Sequence, residues 1–373
     1  MNDNELMKSI PIPQSVAKMA IPSIISSLVT VVYNMADTFF VGQTGDPLQV
    51  AAVSLTNPIF ILFMAFANMF GMGGSAVASM AMGEKKEERA KKASAFVAYA
   101  SFFMGIVFAA SLLLFMRPLL TLFGADAQTY ALARGYTLHI SYGAPFIIWS
   151  AAASFVVRAD GASREAMIGS MIGTIANIVL DPVFISGLGM GAAGAAIATT
   201  IGNIVSFLIV FQYLFHTKSF QLKASDFVPD LPVIGQIGKL GFSSFLTQLS
   251  IVIITIVSMN MLAKYGAQSK YGANDPQAII GMVMKVFTIA VNLAVGISAG
   301  CQPIFGFNYG AGRYDRVRKL LAWSCGACCA SASLQQFYSR RSRRRSSAFS
   351  GQIHRTRRSI WNLAQGRCAS ICC

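Results

Sequence analysis

Asp37 and Asp181 each sit in a stretch otherwise apolar enough to cross a membrane. Ile24-to-Val41 reads IISSLVTVVYNMADTFFV and Ile168-to-Ile185 reads IGSMIGTIANIVLDPVFI. A charge in hydrocarbon costs several kcal/mol, so an ionisable side chain kept there points to a functional site. Polar companions are spaced to join them. Asn177 precedes Asp181 by four residues, one turn deeper on the same helical face, and Asn34 precedes Asp37 by three. Thr199 follows a run of small residues, GMGAAGAAIATTIGN, that lets helices pack closely. Pro182, directly after Asp181, removes a backbone donor and frees carbonyls nearby. Two acids, two amides and a hydroxyl suit a hard cation such as Na⁺, or a proton held on a buried carboxylate. The alternative is that both acids only make helix–helix hydrogen bonds near the interface. His139 and Lys285 also fall in apolar stretches. The first reads as a packing residue, and the second as a side chain snorkelling to a nearby interface.

The elements that must hold these residues follow from composition. The chain has 373 residues, 54% hydrophobic and 12% charged, with a mean hydropathy of +0.56. Soluble domains carry about a quarter charged residues. The fold class is all-α polytopic membrane protein, with eight expected spans at about 16–41, 51–81, 93–116, 129–156, 165–186, 190–215, 238–264 and 277–308. Lys and Arg crowd alternate loops: Lys85, Lys86, Arg89, Lys91 and Lys92, then Arg158 and Arg164, then Lys218, Lys223 and Lys239. The other loops carry almost none, which puts the N-terminus in the cytoplasm. On that topology the first and fifth spans both run outward, and Asp37 lies roughly 7–8 Å below the outer exit of its span. Asp181 sits at a similar depth. The N-terminal residues 1–15 lack a signal-peptide pattern. Although the net charge is +15, the cations are spread by loop and not gathered in one patch, so no nucleic-acid partner is expected. No Ser-His-Asp order, zinc spacing or phosphate loop stands out, so the chain does not read as an enzyme, and no cofactor beyond H⁺ or Na⁺ is implied.

The chain also repeats itself. Aligned at one offset, the second and eighth spans bring Gly71 to Gly300, Gly83 to Gly312 and Arg89 to Arg318. Both copies read as ending in a glycine-marked helix exit followed by a basic stretch. The first and seventh spans correspond more loosely. Residues 16–215 therefore read as one six-helix lobe, 216–237 as a cytoplasmic linker and 238–322 as the first two helices of a second lobe. Repeated membrane halves of this kind enclose a substrate path between them. Residues 323–373 change character. From Cys325 onward the chain has nine Arg, no Lys, no acid and six of its seven Cys. A truncation or a shift of reading frame accounts for this aberrant, disordered tail. A native basic tail on anionic lipid is a second reading. A metal site on Cys325, Cys328, Cys329, Cys368, Cys372 and Cys373 is a third, although clean Cys-x-x-Cys pairs are lacking.

Several segments in order resemble the MATE (multidrug and toxic compound extrusion) transporters: NMADTFFVGQTG (34–45), LTNPIFILFMAFANMFGMGGSAVASMAMGE (55–84), VVRADGASREAMIGSMIGTIANIVLDPVFI (156–185) and GLGMGAAGAAIATTIGNIVS (187–206). The resemblance is strongest to bacterial DinF-like and MepA-like members and runs from about residue 10 to 322. It implies an inverted-V of two six-helix lobes in the bacterial inner membrane. It also implies a monomeric antiporter that exports amphipathic or cationic compounds in exchange for H⁺ or Na⁺ by alternating access. Asp37, Asn177, Asp181 and Thr199 match the family's N-lobe cation site. Some relatives carry a carboxylate just before the glycine that is Gly300 here, where this chain has Ala299, so C-lobe coupling is not expected. Two other readings stay open: an inactive remnant, and a flippase for lipid-linked precursors. The flippase calls for a cationic groove, whereas the first lobe offers acids.

Overall fold

A segment inside hydrocarbon must satisfy every backbone N–H and C=O internally, and the apolar stretches accordingly coil into helices. The computed structural model describes residues 11–123, 125, 128–215, 224–267 and 274–327, with the side chains of 266–288 among those left out. Eight long helices stand where the eight spans were expected: α1 Ile12–Gly42, α2 Pro47–Gly83, α3 Glu87–Leu114, α4 Tyr130–Ala159, α5 Ser163–Pro182, α6 Gly191–Phe215, α7 Leu231–Ala267 and α8 Asn274–Gly310. Among the described residues, seven helices (α1 to α7) are long and apolar enough to cross a membrane, and no strand occurs. α8 has the length for the eighth span. A short helix, Met116–Leu122, follows α3, and residues 314–327 are helical. The Arg-rich tail from 328 onward and the side chain of Lys285 lie outside what is described.

Local signals set the helix ends. Asp46 caps α2 by accepting from the Leu48 N–H at 2.9 Å, with Pro47 at the first helical position, where a missing donor costs nothing. Asp230 caps α7 and accepts from Lys92 Nζ at 3.0 Å, a hydrogen bond that holds its carboxyl below the usual carboxylate range. Beside it, Arg89 donates to Gln236. These contacts tie the start of α3 to the start of α7.

α4 is the most enclosed helix, with α2, α3 and α6 packed around it. Phe63, Ile140, Ile147 and Ile148 are fully buried in that core. α1 lies against α5 on one side and α8 on the other, and α2 lies against α7. The first helix of each expected copy therefore packs on the second helix of the other. Glycine makes these crossings close. A Cβ on Gly241 of α7 would run into the Met69 carbonyl of α2, and one on Gly296 of α8 would come within 2.7 Å of the Ile24 Cα of α1.

The two glycine-marked exits turn out to differ. Gly312 follows α8 in the left-handed region, at φ +71°. Gly83 is still helical, and the left-handed residue after α2 is Lys85 at φ 61°. Gly83 is small for another reason: a Cβ there would meet the Phe307 carbonyl of α8.

Gly235 offers a control for these close approaches, since a Cβ on it meets nothing within 4 Å. Gly241→Ala should cost about 1–3 kcal/mol through forced backbone shifts. Gly235→Ala should be neutral or stabilising by up to about 1 kcal/mol, from helix propensity. Thermal unfolding of the two detergent-solubilised variants checks this; equal effects would show that the α2–α7 approach is not tight.

Candidate functional site: a polar cluster between α1, α5 and α6

Three helices bring the polar residues together. α5 carries Asn177 and Asp181 one turn apart, both buried (2% and 0% exposed). After Asp181 the helix loosens. Pro182 ends the α-helical run, and Val183–Gly187 continues as a π-turn, with the Leu188 N–H reaching back to the Val183 carbonyl at 2.9 Å. α6 meets α5 through small residues. A Cβ on Gly202 would strike the Gly173 carbonyl and the Asn177 Cβ, so this approach is what lets Thr199 reach Asn177. α1 supplies Asp37, which is buried (8% exposed).

The hydrogen bonds run from helix to helix. Asn177 Nδ2 donates to Asp181 Oδ1 and to Thr199 Oγ1, both at 3.4 Å. The Thr199 hydroxyl is also 3.2 Å from the hydroxyl of Tyr33 on α1. Tyr33 stands one turn from Asp37 on the same face. The two carboxylates lie within electrostatic reach of each other, and Tyr136 of α4 within reach of both.

What is left over decides the chemistry. Asp37 Oδ1, Asn177 Oδ1 and Asp181 Oδ2 are enclosed and accept no hydrogen bond among the described residues. A buried oxygen left unsatisfied costs about 1–3 kcal/mol, more if charged. Three such acceptors on packed helices suit a cation: a proton on a carboxyl, or a hard metal ion with oxygen ligands.

Of the five residues picked from the sequence, the structure gathers Asp37, Asn177, Asp181 and Thr199. It does not gather Asn34, whose amide donates to the Thr30 carbonyl of its own helix at 2.8 Å while the side chain is exposed. The i–3 spacing turns it about 60° from Asp37, away from the cluster. Tyr33 was missed, although its i–4 spacing from Asp37 was the available signal. His139 packs as expected: its Nδ1 lies 2.7 Å from the Gly135 carbonyl, which can only accept, so Nδ1 carries the proton. Ala299 is buried, and its neighbour Gly300 abuts α1 at Met19 and Ala20, leaving no acid at that C-lobe position. Cys301 is buried on α8 and Cys325 is exposed; the other cysteines of the suggested metal site lie outside the described residues.

Comparison with known proteins places this arrangement. The MatE family profile matches residues 22–183, a stretch containing Asp37, Asn177 and Asp181. The multidrug export protein MepA of Staphylococcus aureus is 28% identical over 333 residues, covering 87% of this chain and 72% of that protein. The chain is similar to MATE transporters along most of its length. A crystal structure of a MATE protein in the straight conformation superposes with a TM-score of 0.81 at 25% identity, covering 89% of this chain and 73% of the other. An outward-facing multidrug resistance MATE transporter gives 0.80 at 25% identity, with coverages of 87% and 70%. The fold is the MATE helical fold, and the chain is a membrane transport protein and not an enzyme.

The hydroxyl of Thr199 joins α1 to α5, which makes it a direct probe of the cluster. Thr199→Val should lower stability by about 1–3 kcal/mol, because buried Asn177 and half-buried Tyr33 each lose a bond. Thr199→Ser should retain most of it. Unfolding of the purified variants in micelles reads the difference, and a Val variant as stable as wild type would show that the bridge is not made.

Proposed function

We propose that the chain is a cation-coupled antiporter that exports amphipathic or cationic compounds across the bacterial cytoplasmic membrane. It works as a monomer with its N-terminus in the cytoplasm. One observation carries this reading: the three unsatisfied oxygens of Asp37, Asn177 and Asp181 sit where α1 meets the α5–α6 pair. A cation taken up there, H⁺ or Na⁺, is cargo that neutralises the acids and completes their coordination.

α1 is the element that passes this on. Its outer half carries Tyr33 and Asp37 into the cluster, and its cytoplasmic half is packed on α8 at Gly296 and Gly300. A change in how α1 sits against α5 and α6 therefore strains or relieves its contact with the second lobe. Coupling needs no more than this: cation and exported compound must favour different states of one two-state element. With the outer side open, the cation binds at Asp37 and Asp181, and the rearranged α1 releases the exported compound. With the inner side open, the cation leaves and a cytosolic compound binds.

The choice of compound rests on the relatives. MepA is a multidrug export protein, and among the described residues the apolar helices here bury acids such as Asp37 and Asp181 and no Lys or Arg. That favours cationic and amphipathic substrates over the pyrophosphate of a lipid-linked precursor.

Asp37→Asn should abolish energised ethidium efflux from cells while leaving the amount of protein in the membrane unchanged, as read by dye fluorescence and immunoblotting. Efflux at the wild-type rate would remove Asp37 from the coupling role.

A further inference from the structure

The close crossings of α7 and α8 with α1 and α2 gather at one end of the helices. A Cβ on Gly73 of α2 would strike the Ile237 carbonyl of α7, and one on Gly83 of α2 the Phe307 carbonyl of α8. One on Gly300 of α8 would strike the backbone of Met19 and Ala20 on α1. These residues lie in the N-terminal halves of α1 and α7 and the C-terminal halves of α2 and α8. That is the end bearing Lys85, Lys86 and Arg313. Towards the other end α1 and α8 part. Ile24 of α1 faces Gly296 of α8, yet Met35, three turns further along the same face of α1, is 52% exposed. Ile289, two turns before Gly296 on α8, is 39% exposed. The helices are shut at the basic end and spread at the other.

Two polar links cross the shut end. Lys92 of α3 donates to Asp230, the cap of α7, at 3.0 Å. Arg89 of α3 donates to Gln236 of α7 and also lies 3.4 Å from Glu84, which Lys86 holds at 2.8 Å. Beside Arg89 and Gln236 a cavity of about 270 Å³ remains, walled by Val77 and Met80 of α2 and by Lys239 and Leu240 of α7. Side chains bridge this rim; packing does not fill it. The repeat shows that packing does not demand the links either. At the offset that pairs Gly83 with Gly312, Lys92 pairs with Leu321, which is exposed. We propose that Lys92–Asp230 and Arg89–Gln236 form a latch that holds α7 against α2 and α3 at the basic end, weighting the protein towards the state open at the other end. Links this exposed shift an equilibrium by roughly two- to fivefold each, enough to tune a protein with two populated states. Naming the latched end cytoplasmic rests on the topology proposed above; the latch itself does not.

Ser79 of α2 is fully buried beneath Gly306 of α8. Ser79→Cys therefore reports separation at this end through its rate of alkylation by N-ethylmaleimide, read peptide by peptide by mass spectrometry on the detergent-solubilised chain. Lys92→Gln and Asp230→Asn, the latter keeping a helix cap, should each raise that rate roughly two- to fivefold. Because they break one shared link, the double variant should rise no further than the singles. Arg89→Met, added to either, should raise the rate again by a similar factor. Ser101→Cys, buried within α3, should react equally slowly in every background. Unchanged or lower rates at Ser79→Cys, a double variant whose rise is the product of the two singles, or a parallel rise at Ser101→Cys would overturn the latch.

Discussion

A carboxylate inside an apolar helix must find a partner or lose its charge, and the first lobe of this protein is arranged around two of them. Among the described residues Asp181 is fully enclosed and receives one hydrogen bond, from Asn177, leaving Oδ2 without a partner; Asp37 is nearly as enclosed. Isolated, each would be a large penalty. Set together with Tyr33, Asn177 and Thr199, they form a cluster whose remaining demand is for positive charge. The small residues of α5 and α6 make that possible, because Gly173 and Gly202 let the two backbones approach closely enough for Asn177 and Thr199 to meet.

The same constraint explains why α1 matters more than its neighbours. It packs on α5 and α8 but only slightly on α2, the next helix in the chain. Its C-terminal half carries Tyr33 and Asp37 into the polar cluster, and its N-terminal half packs on α8. The close crossings at Gly296 and Gly300 with α1, and at Gly241 with α2, leave no slack between these helices. Interfaces packed this tightly switch between discrete arrangements and do not deform smoothly, which suits a transporter that must not open on both sides at once.

Much of this was legible in the sequence. The eight helices were, because long apolar runs have one solution in lipid. Asp37, Asn177, Asp181 and Thr199 were, because acids and amides stand out against apolar surroundings. Tyr33 did not stand out: a tyrosine in an apolar run reads as an interfacial or packing residue until a partner is seen across the helix gap. Asn34 misled for the opposite reason. It looked polar and near, but sequence distance does not say that an amide will satisfy itself on its own helix. Gly83 likewise reads as a turn residue, and only the approach of Phe307 shows that it is a packing residue.

On the proposed mechanism Asp37 and Asp181 serve one cation site and not two. Proton release on addition of a cationic substrate to the purified protein, read with a pH indicator at low buffering, tests it most directly. The measurement compares wild type, Asp37→Asn, Asp181→Asn and the double variant, in the absence and presence of Na⁺. A single site requires each single variant to lose as much linked release, proton or Na⁺-suppressed, as the double does. Losses that add, each single variant keeping its own share, would mean two independent sites and would contradict the account.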